Sequence, residues 1–189
     1  MKKRLLVGMS GASGAPIAVE LLRQLQTEES VESHLVITRG AELTLRQETE
    51  LSLDAVKELA DVVYENDSIG IGARPASGSF QMEGMVVVPC SMKTVAGIVS
   101  GYSDSLLLRA ADVTLKERRK LVLVARESPL STLHLRNLYE LSQMGGIIMP
   151  PMLTYYSHPK SLEDCTMHTV QRILRQFGLH ADGYEWEGM

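Results

Sequence analysis

Two cysteines, Cys90 and Cys165, are all that the 189 residues contain, and they stand far apart with no C-x-x-C pair. That count excludes a disulfide-stapled secreted scaffold and makes a reducing compartment, the cytoplasm, the expectation. Long apolar runs are missing as well. Behind the basic start, the first run is only Leu5 to Val7 before glycines interrupt it, too short for a signal peptide's apolar region. No other stretch approaches a membrane span, and no lipidation box is present. Positive charge is not in excess: 19 Lys and Arg face 23 Asp and Glu, for a net charge of -4. A nucleic-acid-binding surface over the whole molecule is thereby excluded, so any anion site must be local. The five histidines at 34, 134, 158, 168 and 180 lack metal-ligand spacing, and no metal is expected. No internal repeat or low-complexity tract stands out.

What is present is an ordinary soluble composition, 44% hydrophobic and 22% charged, at a length that fits one domain over 1–189. Continuous apolar runs at 4–9, 32–38, 84–89, 120–125 and 146–150 read as strands buried on both faces. Between them, periodicity predicts helices at about 15–26, 40–60, 104–118, 131–144 and 162–177. This alternation predicts a doubly wound α/β fold of three layers with a parallel sheet. Ser131 and Ser161 are expected N-caps, and Gly145 and Gly178 follow helix ends. The Gly-, Ser- and Pro-rich stretch 66–83 is expected to be a functional loop within the domain.

The first strand runs into Gly8-Met9-Ser10-Gly11-Ala12-Ser13-Gly14 and then a helix with Pro16 in its first turn. Small residues there let backbone N–H groups approach an anion, and Ser10 and Ser13 add hydroxyls. The glycine spacing differs from the dinucleotide G-x-G-x-x-G, and the second strand ends in Thr38 and Arg39 where an acid would hold an adenine ribose. FMN or another phosphate ligand fits better than NAD; Arg39 leaves an opening for NADP. A second cradle, Pro89-Cys90-Ser91-Met92-Lys93-Thr94, also follows an apolar strand, with Ser91 able to cap the next helix and Cys90 expected as a small buried hydrophobe. Two such loops at carboxyl strand ends imply one crevice.

Arg109 and Lys116, two helical turns apart, share a face, whereas Arg118, Arg119 and Lys120 read as solvated charges at a helix end. Arg126 and Glu127 follow a buried strand directly, where a guanidinium can hold phosphate and a desolvated carboxyl can exchange a proton. The loop Pro150 to Pro159 is stiff and aromatic, with Tyr156 a possible phosphate donor and Arg172 on the next helix a possible counter-charge.

With these pieces in place the chain resembles the UbiX-like flavin prenyltransferases over nearly its whole length. The resemblance rests on VGMSGASGAP at 7–16, SGSF at 77–80, VPCSMKT at 88–94, LLLRAADVTLKERRKLVLVARESPL at 106–130 and PPMLTYYSHP at 150–159. It implies a flavodoxin-like/Rossmann-like fold, reduced FMN as prenyl acceptor, dimethylallyl phosphate as donor and no metal. It also implies a trimer-based homo-oligomer, commonly a dodecamer, whose product goes to a UbiD-type aromatic acid decarboxylase. By resemblance Gly11, Ala12, Ser13, Thr38, Ser91, Met92, Lys93, Thr94 and Arg126 contact FMN. Tyr156, Arg172, Lys116, Arg109 and Trp186 serve the prenyl donor, and Glu127, Arg126, Glu48 and Ser13 the chemistry. Thr38 stands where the family is expected to have serine, SPL at 128–130 replaces the more usual TPL, and the approach to Trp186 is reworked. Competing readings are an FMN-carrying accessory subunit of a phenolic-acid decarboxylase, a flavin-dependent cysteine decarboxylase and an NADP-dependent flavin reductase.

Overall fold

The computed structural model describes residues 2–67, 73–185 and 188. Among them, six parallel strands form one sheet: β1 (Lys3–Met9), β2 (Val31–Ile37), β3 (Val62–Glu65), β4 (Gly84–Cys90), β5 (Lys120–Ala125) and β6 (Gly146–Ile148). Their order is β3-β2-β1-β4-β5-β6. Leave out β3 and the remaining five strands stand in the flavodoxin order; add it at the edge and the order is that of the dinucleotide-binding folds. The two descriptions of the fold therefore differ by one short edge strand.

The helices are α1 (Ala15–Thr27), α2 (Arg39–Glu48), α3 (Leu53–Lys57), α4 (Met92–Val99), α5 (Leu106–Lys116), α6 (Thr132–Gln143) and α7 (Leu162–Gln176), with a 3-10 turn at Arg74–Ala76. Strand side chains alternate between two cores. Leu5, Val7, Val86, Val88 and Val122 pack with α1 and α7, while Leu6, Met85, Val87, Leu121 and Leu123 pack with α4 and α5. Each fully buried aliphatic side chain contributes roughly 2 kcal/mol through water exclusion, which is why the strands read as unbroken apolar runs.

The expected helix over 40–60 is in fact two helices and the approach to a strand. Helix α2 ends at Glu48 because Thr49 turns extended, and Ser52 starts α3 by accepting from Ala55 N–H at 3.1 Å. Strand β3 escaped the sequence reading because it is four residues at an edge, three half-buried and Glu65 exposed, too short for its pattern to register. The expected caps are in place: Ser131 and Ser161 each accept from the backbone three residues on, and Gly145 and Gly178 follow α6 and α7 with φ of +100° and +64°.

Beneath β1, β2 and β3 lies a buried polar knot. His34 is fully buried, with Nδ1 3.0 Å from the Tyr64 hydroxyl and Nε2 2.8 Å from Glu32, which also takes Arg4. Phe80 closes the knot, edge-on to His34 and under the Arg4 guanidinium. Burial holds the His34 pKa below its ordinary 6.5, overcoming the opposite pull of Glu32 and Asp61. The unfolded chain therefore binds a proton that the folded chain resists, and stability present above pH 6.5 is lost as pH falls. In a melting series from pH 6.5 to about pH 5, His34→Gln is expected to flatten the decline in Tm; an unchanged slope would exclude His34 as a contributor.

Candidate active site

Strand order reverses between β1 and β4, and ligands of open α/β sheets bind outside the carboxyl ends of the strands at that point. A crevice of about 450 Å³ lies there, walled by the segments that follow β1, β2, β3 and β4. Three helices open onto it by their N-termini. Thr38 caps α2 by accepting from Ala41 N–H at 3.2 Å, Ser91 caps α4 from Thr94 N–H at 3.3 Å, and Ser105 caps α5 from Leu108 N–H at 3.4 Å. Arg39 and Lys93 on the lining are balanced by Asp67 and Asp104, so the attraction for an anion comes from the positive ends of the three helix dipoles and their N–H groups.

The two predicted cradles are stitched together by Ser10, which is buried. Its hydroxyl donates to Pro89 C=O at 3.1 Å and accepts from Ser91 N–H at 2.8 Å. This hydroxyl was expected to face a ligand; the structure uses it to set the spacing of the two loops instead. Gly11 allows the loop after β1 to cross the start of α2, since a Cβ there would sit 3.0 Å from Gly40 backbone atoms. Any side chain would push these walls apart.

The N-terminus of α1, the first anion site suggested by the sequence, is already filled from within. Glu48 Oε2 accepts from Gly14 N–H at 2.9 Å and Ala15 N–H at 2.8 Å. A carboxylate from the end of α2 thus satisfies two orphan donors of α1 and leaves the anion-binding role to α2, α4 and α5. Ser13 and Ala12 lie on the loop between Gly11 and this carboxylate, Ser13 exposed. Met92 is buried at the start of α4, whereas Lys93 is exposed toward the crevice.

Arg126 follows β5 and donates its N–H to Cys90 C=O at 3.1 Å, which places Arg126 and Glu127 next to Ser91 at the same sheet edge. Both side chains are exposed in the isolated chain, so the desolvation expected for Glu127 does not arise within one protomer. Cys90 is fully buried, and burial pushes its thiol pKa far up, so it packs as a hydrophobe.

The remaining candidates are divided between two further places. Arg109 and Lys116 do share a face of α5, but each is ion-paired, with Asp112 and Glu117 respectively, and both lie against the 76–80 segment. Arg119 was expected to be a solvated charge; instead it clamps that segment, donating to Gly78 C=O at 2.7 Å and Phe80 C=O at 2.9 Å. Tyr156 and Arg172 meet in a separate hollow of about 250 Å³ that shares no lining residue with the crevice. Trp186 lies outside the described residues. Among the described residues no cluster of His, Cys, Asp and Glu could hold a metal ion.

Sequence reasoning missed Asn66, Asp67 and Asp104, all of which line the crevice. Asn66 accepts from Leu106 N–H through its C=O at 2.8 Å and from Leu107 N–H through Oδ1 at 3.1 Å, which fixes the start of α5 at the crevice wall. With β3 unseen, nothing in the sequence marked Asn66 as the end of a strand at the ligand edge.

A doubly wound sheet with an anion-seeking crevice at its switch point and no dinucleotide fingerprint defines a mononucleotide-binding α/β protein. Comparison with known proteins agrees: the Flavoprotein family model matches residues 1–177. The flavin prenyltransferase LpdB of Lactiplantibacillus plantarum is 50% identical over 188 residues, covering 98% of this chain and 99% of that protein. A dodecameric FMN-dependent UbiX-like decarboxylase from Escherichia coli O157:H7 superposes with a TM-score of 0.94 at 49% identity, covering 98% of this chain and all of that one. AnUbiX (PadA1), solved with FMN and dimethylallyl pyrophosphate, gives 0.96 at 45% identity with full coverage of both chains. A peptidyl-cysteine decarboxylase, at 16% identity and a TM-score of 0.63, shares the fold alone. The chain belongs to the flavoprotein family and, within it, to the UbiX-like flavin prenyltransferases.

Proposed function

We propose that this chain transfers a dimethylallyl group from its phosphate ester to reduced FMN, making prenylated FMN for a UbiD-type aromatic acid decarboxylase. The observation that carries the reading is the crevice at the switch point, in a chain half-identical over its length to flavin prenyltransferases. The crevice suits FMN: α2, α4 and α5 present N-termini to the phosphate, Asn66, Asp67 and Asp104 offer polar partners, and Leu107 and Leu108 offer apolar surface to a ring. Reduced FMN supplies the nucleophile, N5, and the carbon, C6, at which the fourth ring closes.

The protein's own work is to hold the donor phosphate, balance the charge that develops on it and move the protons released. Tyr156 and Arg172 hold the phosphate, joined by Lys116, with Arg109 and Arg126 raising the local positive potential. Glu127, Glu48 and Ser13 lie at the flavin edge as the groups that exchange protons. Because the Tyr156–Arg172 hollow and the crevice are apart in one chain, the reading requires several copies to build each site. Apolar side chains left exposed on α6, at Leu133, Leu135 and Tyr139, support a homo-oligomer of trimers, a dodecamer like the E. coli relative. No described helix is long and apolar enough to cross a membrane, in keeping with a cytoplasmic enzyme.

The test is to mix the protein anaerobically with reduced FMN and dimethylallyl phosphate and weigh the extracted flavin. Gain of one C5H8 unit is expected. Unchanged mass would favour an accessory flavin carrier, and hydride transfer from NADPH without a prenyl donor would favour a reductase.

A further inference from the structure

The 76–80 segment is gripped by side chains from α5 and the turn after it. Arg109 Nε donates to Ala76 C=O at 3.3 Å, and the Arg119 fork donates to Gly78 C=O at 2.7 Å and to Phe80 C=O at 2.9 Å. The far end of the segment, Phe80, is anchored in the polar knot, edge-on to His34 and under the Arg4 guanidinium. A chain reversal carries Arg119 there: Arg118 takes a left-handed φ of +56°, uncommon outside glycine, and Arg119 N–H closes the turn on Thr114 C=O at 2.9 Å. Backbone strain of this kind persists where surrounding contacts over-determine it, and the Arg119 clamp is such a contact. On the clamped backbone rests Lys116. Its ammonium is hydrogen-bonded to the Glu117 carboxylate, and the pair lies against Gly78, where a Cβ would sit 2.8 Å from Lys116 Nζ and closer still to Glu117. Gly78 is not in the left-handed region, so its bare Cα serves space and not backbone geometry. Glu117 takes one ammonium N–H and leaves the others for a ligand, on a lysine side chain that is 44% exposed.

We propose that Arg119 and Gly78 are positioning residues for Lys116. The Arg119 fork fixes the 78–80 backbone, and the missing side chain of Gly78 lets the ammonium rest on it, so that the cation is held in place before the prenyl donor binds. The inference rests on the reading of Lys116 as a cation for the donor phosphate. Lysine is a compact point charge on a flexible four-carbon stem, and without a fixed wall its head is spread over many positions. A cation placed beforehand stabilises charge on the departing phosphate without reorganising, so a wall that acts only through Lys116 still changes turnover. Neither Arg119 nor Gly78 needs to touch the donor.

The experiment is a double-mutant cycle on kcat and KM for dimethylallyl phosphate, with flavin content read by absorbance. Lys116→Met, Arg119→Gln and Gly78→Ala are each expected to lower kcat/KM about tenfold or more with FMN retained. In the Lys116→Met background the other two should cost less than about twofold, because no cation is left to position. A clamp that served stability alone would give losses that multiply. Gly78→Ala leaves every hydrogen bond of the clamp in place, so it decides the outcome even where Arg119→Gln lowers Tm. Binding of inorganic phosphate to the FMN-loaded protein, by calorimetry, should follow the same pattern: weaker in each single variant and no weaker in the doubles than in Lys116→Met. Multiplying losses, or full activity in Gly78→Ala, would overturn the positioning role and leave prenyl transfer standing. Full activity in Lys116→Met would remove Lys116 from the donor site and this inference with it. A wild type that leaves the flavin mass unchanged would overturn prenyl transfer and the inference together.

Discussion

Arg172→Ala is expected to lower kcat/KM for the prenyl donor by roughly 10²-fold or more, while FMN is retained as in the wild type. Arg172 projects from α7 into the hollow with Tyr156 and has no carboxylate partner among the described residues, so its removal leaves no intramolecular charge unbalanced. Folding should therefore be spared, and the loss should fall on the transition state, where charge grows on the departing phosphate oxygen. Tyr156→Phe removes one neutral donor from the same oxygens and should cost less, about tenfold. Steady-state kinetics against donor concentration, with the flavin content of the purified variant read by absorbance, separates the two effects. Unchanged turnover in Arg172→Ala would detach α7 from the phosphate site. Loss of flavin together with activity would show that the hollow and the crevice are one site.

The sheet was legible because the central strands β1, β4 and β5 are buried on both faces and so nearly apolar throughout, with Leu35 to Ile37 marking β2; β6, at the other edge, showed itself by the short apolar run that starts at Gly146. β3 does not, because an edge strand of four residues, none of them fully buried, carries no such requirement. The crevice was legible for the same reason: Thr38 and Ser91 are small capping residues directly after apolar strands, a pattern tied to the backbone. What stayed hidden depends on tertiary partners. Ser10 looks like a ligand donor until β4 is seen to take its hydroxyl, and Arg119 looks solvated until the 78–80 carbonyls are seen to close on it. Nothing local to α1 reveals that Glu48, 34 residues beyond Gly14, fills its N-terminus.

That carboxylate bears on how the site works. Glu48 is held by two backbone donors through one oxygen, so its position is set by the packing of α1 against α2 and not by ligand. A carboxylate fixed in this way braces the loop after β1 that leads into the crevice, whatever ligand the crevice holds. Arg126 and Glu127 are different: both follow β5 and are exposed, so their desolvation must come from outside the chain, from a bound ligand or a neighbouring copy. Residues of the crevice are thus organised by the fold of one chain, whereas on the proposed function the cations for the donor are brought to it by assembly.

Assembly is accordingly where the second large effect is expected. Leu135 and Tyr139, 55% and 65% exposed, are one turn apart on the outer face of α6, with Leu133 and the SPL segment at 128–130 nearby. Apolar side chains grouped like this mark a surface covered by another protein, and burying them against a second copy contributes roughly 2 kcal/mol each. Placing carboxylates there, in Leu135→Glu with Tyr139→Glu, would bring like charges together in an apolar contact at a cost of several kcal/mol. The variant is expected to elute as a smaller species by size exclusion with light scattering. It should keep the wild-type circular dichroism, because neither side chain supports its own core, and lose prenyl transfer by about 10²-fold or more, because the proposed site needs Lys116 and Glu127 of one copy to meet Tyr156 and Arg172 of another. Small species with full activity would mean that a single chain completes its own site, and the separation of hollow and crevice would then have to close by a movement within the chain.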